Sequence, residues 1–198
     1  MTFLLTGLGL AVAAGLNAWA VLLLFNGLVR LLPQDFPGPV TAFLSSPFVL
    51  ELSVVMFLLE FIVDKIPLAD RLWEVAHTLL RPVAGALLAL ACVPETVGLA
   101  GRVGVCIAGA AATLGAHLAK STTRLTSTAA TRGVAQFALS LFEDVVAIVV
   151  ATLVFFRPWF TAVFLGGLVL LLGTHWPRVR HALAVLFFRL QHPRRGTG

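Results

Sequence analysis

Apolar runs of roughly the length needed to cross a bilayer recur along this chain, separated by short polar or proline-containing breaks. One helical crossing takes about twenty predominantly apolar residues. Read this way, the sequence predicts an all-α fold, a polytopic transmembrane helical bundle of about six spans. The first span runs from about Thr2 to Leu28, the second from Phe48 to Val63 and the third from Arg81 to Val93. The fourth runs from Val103 to Ala119, the fifth from Phe137 to Phe156 and the sixth from Trp159 to Gly173. Residues 1–176 then form one transmembrane domain, and residues 177–198 a basic, amphipathic cytoplasmic tail.

Composition supports the bilayer as solvent. Only 12% of residues are charged and 59% are hydrophobic, with a mean hydropathy of +0.99. A soluble domain usually carries about 25% charged residues to face water. The net charge of +5 does not suggest a nucleic-acid partner, because the basic residues lie between and after the apolar runs, with no polar face to gather them. That distribution instead sets orientation. Of the 14 Lys and Arg residues, Arg30, Arg102 and Arg157 fall on one side and the others on the opposite side. The expectation is a multi-pass membrane protein with both termini in the cytoplasm. Cys92 and Cys106 have no CxxC spacing and read as small buried apolar residues.

Between the second and third spans lies a segment whose Leu68, Leu72, Val75, Ala76 and Leu79 repeat at helical spacing, opposite Asp70, Arg71, Glu74 and His77. This predicts an amphipathic interfacial helix over 66–80. The fourth span is built from small residues that let helix backbones approach closely, which predicts a central position. The two halves of the chain also echo one another. AAGLNAWA around Asn17 aligns with TLGAHLAK around His117, FLLEFIVDK around Glu60 with SLFEDVVAI around Glu143, and Arg81-Pro82 with Arg157-Pro158. Repeats over 1–96 and 97–176, with three spans each, would be inverted relative to one another, a plan common in transporters.

Carboxylates within the spans carry the sharpest chemical signal. A charge at the bilayer centre costs about 2.5–3.5 kcal/mol on insertion scales. Glu60, Asp64, Glu143 and Asp144 therefore either line a path for a small cation or proton, or pair with Lys65, Arg81, Lys120 and Arg124 in structural salt bridges. Asn17 and His117 are polar residues inside apolar helices, either as interhelical hydrogen bonds or as auxiliary contacts to a transported species. A second cluster comprises Lys65, His77, Arg81, Lys120, Thr123 and Arg124. It suits an anionic phosphate or phospholipid headgroup, or serves simply as a positive cytoplasmic flank. No nucleophile elbow, HExxH or zinc spacing occurs, so the sequence calls for no enzyme activity and no cofactor.

The motifs GLNAWAVLL, LEFIVDKIPLADRLWEVAHTLLRPVAGALLA, GAHLAKSTTRL and SLFEDVVAIV resemble a bacterial membrane family catalogued as domain of unknown function 4126. Together they cover most of residues 8–155. The resemblance implies a polytopic inner-membrane protein and supplies no activity. Three functions remain open: a transporter or channel for a cation or proton-coupled solute, a carrier of an anionic headgroup, and a non-transporting membrane protein that assembles with partners or with copies of itself.

Overall fold

The computed structural model describes residues 2–32, 36, 38–63, 67–128 and 134–174, with backbone alone at 67–72, 74, 75, 122–128, 134–137 and 139. Asp64, Lys65 and the tail 177–198 lie outside the described residues, as do the side chains of Thr123 and Arg124. The described residues are all-α, without strands. The helices are α1 (Thr2–Leu16), α2 (Ala18–Leu31), α3 (Pro39–Leu44), α4 (Pro47–Val63), α5 (Pro67–Ala91), α6 (Leu99–Thr128) and α7 (Val134–Phe156), followed by α8 (Phe160–Thr174).

Helix α1 lies at the centre, packed against α5, α6 and α7. It is buried on every side from Gly9 to Gly15, as expected of a helix that is apolar all round. Close approach of its neighbours depends on small residues. Gly85 of α5 faces Gly109 and Thr113 of α6, and a Cβ at Gly85 would lie 3.0 Å from the Gly109 carbonyl oxygen. Gly15 meets Ala116 and Thr113 in the same way where α1 crosses α6. The Thr113 hydroxyl locks that crossing by donating to the Ala11 carbonyl at 2.7 Å.

Three expectations change. The first predicted span is not one helix. It breaks at Asn17, whose backbone is extended (φ −147°, ψ 105°) and whose side chain caps α2 by accepting from the Ala20 amide. Asparagine is a poor helix-interior residue and a good N-cap, so its own chemistry explains the break. The amphipathic segment 66–80 is likewise not a separate interfacial element. It continues through Pro82 into the third span as α5. The fourth predicted span also does not end at Ala119, since α6 continues to Thr128.

The core around α1 is apolar but also holds many polar and charged residues, while large apolar residues are widespread on the surface. Buried residues include Asn17, Asn26, Glu60, His77, Arg81, Thr113, His117, Lys120, Glu143 and Asp144. Exposed ones include Phe48, Val55, Leu58, Ile62, Leu79, Leu99, Ile107, Phe142, Trp159, Val163 and Leu170. On α4 the inward residues are Val49, Ser53 and Glu60, while the exposed ones are aliphatic and aromatic apart from Glu51. By length and composition, Leu99–Ser121 is the one helix among the described residues that could cross a membrane unaided. The runs Thr2–Leu16, Ala18–Leu31, Ala76–Ala91 and Phe160–Thr174 are apolar but shorter.

Candidate functional site

The interruption of α1–α2 creates the site. Where a helix breaks, its last carbonyls lose their intrahelical donors. The Gly15 and Leu16 carbonyls are taken instead by two buried cations from different helices. Arg81 of α5 donates to the Gly15 oxygen at 3.3 Å, and Lys120 of α6 donates to the Leu16 oxygen at 2.7 Å. Cations are favoured at a helix C-terminus by its partial negative charge, so the end of α1 is a natural place for both.

Each cation also holds a carboxylate. Arg81 binds Glu60 of α4 through one guanidinium nitrogen at 2.7 Å, and Lys120 binds Glu143 of α7 at 3.2 Å. Asp144, beside Glu143, accepts from the Asn17 side-chain amide at 2.8 Å. Asn17 thus caps α2 with its oxygen and ties α7 to the break with its nitrogen. Helices α1, α4, α5, α6 and α7 all contribute to this one network, whose pairs are almost wholly withdrawn from solvent.

His117 closes the network on one side. Its Nδ1 lies 2.6 Å from Arg81, which can only donate. Nδ1 is therefore the acceptor, and the ring proton sits on Nε2, which donates to Thr78 Oγ1 at 3.0 Å. Arg81 thereby engages Gly15, Glu60 and His117 together. One turn before Arg81, His77 has the opposite tautomer. It accepts the Trp19 indole N–H at Nε2, at 2.8 Å, which leaves Nδ1 to donate to the Trp73 carbonyl at 3.0 Å.

The arrangement brings together Glu60, Glu143, Asp144, Asn17 and His117 from the transport set, and Arg81 and Lys120 from the basic set. Glu60 and Glu143 are met by Arg81 and Lys120, as in the salt-bridge alternative, and Asp144 by the Asn17 amide. Arg81 and Lys120 of the basic set are engaged by carboxylates and carbonyls, and the side chains of Lys65, Thr123 and Arg124 lie outside the described residues. His77 joins two tryptophans rather than a basic patch. Sequence reasoning missed Thr78, Ser53 and Trp19, and the role of the Gly15 and Leu16 carbonyls. Ser53 had a readable signal, two turns before Glu60 on the same helix face. The carbonyls had none, because backbone groups become ligands only once the helix breaks.

A family model described as a domain of unknown function (DUF4126) matches residues 4–178. The chain belongs to this family. The match spans the whole network and all the described helices except the first residues of α1. No curated protein and no solved structure matches the chain. Family membership therefore leaves function to be argued from the site itself.

Proposed function

We propose that the chain is a multi-pass inner-membrane transporter of a small solute, coupled to protons, whose working site is the pair of salt bridges at the α1–α2 break. In this reading α1 and α2 form one interrupted span, and α4, α5, α6, α7 and α8 supply the rest. The many exposed large apolar side chains support a lipid-facing surface, and buried charge beneath an apolar exterior is costly and tends to mark function in membranes. Interrupted helices with exposed carbonyls are the usual site-forming device of transporters built from inverted repeats. The crossing of α1 and α6 at Gly15 and Ala116, positions that the internal alignment makes near-equivalent, favours such repeats.

The observation that carries the reading is the convergence of Glu60–Arg81 and Glu143–Lys120 on successive carbonyls. Protonating either glutamate would remove the charge holding its cation, and that cation also anchors the end of α1. Proton uptake is thereby linked to the packing of the central helix, which is what coupling requires. The test is solute-driven proton movement in proteoliposomes, comparing the parent with Glu60→Gln and Glu143→Gln. Coupled movement should be lost in both.

A second reading also rests on a specific observation. Because each acid has a partner, the network could serve only to fix the bundle, in a membrane protein that assembles with others. In that case Gln variants that still fold would leave any flux unchanged.

A further inference from the structure

Four buried polar atoms find no hydrogen-bond partner among the described residues, and three of them bear on the site: Ser53 Oγ, Glu60 Oε2 and Arg81 Nε. Ser53 is fully buried, and Glu60 and Arg81 nearly so. A buried polar atom left unsatisfied costs about 1–3 kcal/mol, and here the three occur on two packed helices. Ser53 and Glu60 share the inward stripe of α4, about 10 Å apart along the helix axis at 1.5 Å per residue. Arg81 faces Glu60 from α5.

The pairing of Glu60 with Arg81 is one-sided. One carboxylate oxygen accepts from one terminal guanidinium nitrogen, and the other oxygen and Nε are left over. An acceptor and a donor are thus offered from the two members of a neutral pair. A cation at Glu60 Oε2 would be repelled by Arg81, and an anion at Arg81 Nε by Glu60. A group that donates and accepts through one uncharged centre suffers neither penalty.

We propose that the inward face of α4, from Ser53 to the Glu60–Arg81 pair, is a hydrated track that binds small uncharged solutes bearing a hydroxyl or amide group. The identity of what moves rests on the transport reading above; the hydration of the track does not. Ser53 is the recognition point at one end, and Glu60 Oε2 with Arg81 Nε forms the other.

Cysteine accessibility tests this in liposome-reconstituted protein, with Cys92→Ala and Cys106→Ala as background. Ser53→Cys changes little in size, and Val55→Cys places a control thiol on the outward face of the same helix, where Val55 is exposed. A water-soluble methanethiosulfonate reacts with the thiolate, which forms only where water reaches, so Ser53→Cys should label roughly tenfold faster than Val55→Cys. Glycerol should slow that labelling if hydroxyls are recognised and urea if amides are, while potassium chloride of equal osmolarity should not. Labelling no faster than at Val55, or equal protection by the salt, overturns the proposal. A second measurement guards against a folding artefact. In a dry contact, Ser53→Ala removes an unsatisfied hydroxyl and raises Tm, which also contradicts the track; a hydrated Ser53 gives an unchanged or lower Tm. Protectable labelling in protein that moves no protons in the flux assay would uphold the track and remove the transport reading.

Discussion

At the scale of single residues, Arg81 is the pivot. It is 1% exposed and joins the end of α1, the acid of α4 and the imidazole of α6. Removing one member of a buried ion pair leaves an uncompensated charge, whereas removing both leaves none. Arg81→Gln should therefore destabilise the protein by about 3–5 kcal/mol, and the double variant Glu60→Gln/Arg81→Gln should recover much of that loss. Thermal unfolding in detergent, arranged as a double-mutant cycle, measures both. Glu60, Glu143, Asp144, Asn17 and His117 stood out in the sequence because a polar residue in an apolar run is expensive, whereas Arg81 and Lys120, read at span boundaries, stood out only as possible partners for the acids. Which acid each would meet was not legible, because pairing across helices depends on which faces meet.

At the scale of helices, two breaks in regularity shape the bundle, and the sequence revealed them unequally. Asn17 ends one helix and caps the next, yet within AAGLNAWA it reads as a single polar residue in a continuous span. The capping bond to Ala20 becomes visible only in three dimensions. Pro82 misled in the opposite sense. It suggested the start of a span, whereas α5 runs through it and carries His77 and Arg81 on one inward face. The small-residue run of α6 suggested a central helix, but α1 holds that place and only 17% of the apolar window of α6 is buried; its small residues instead make one close-packed face, tightest where Gly85 meets Gly109 and Thr113. Gly85→Val should force α5 and α6 apart and destabilise the bundle by roughly 1–3 kcal/mol or more, as overpacking does. A lowered Tm checks this; an unchanged Tm would show that the crossing is looser than described.

At the scale of the molecule, all-helical architecture followed from the apolar runs, and the abundance of exposed apolar side chains follows from the same composition once the helices are assembled. Orientation rests on charge asymmetry between connecting segments. A phosphatase reporter fused after Gly98 should be active, as on the outer face, and one fused within 129–133 inactive. The reverse pattern would invert the orientation. In the proposed function, the two buried salt bridges at the α1–α2 break work as a proton-linked lock on the central helix. Proton movement driven by a solute gradient in proteoliposomes probes this lock, run on the parent, Glu60→Gln and Glu143→Gln at matched protein levels. A proton-linked lock gives coupled proton movement in the parent and none in either variant; equal movement in all three would contradict such a lock.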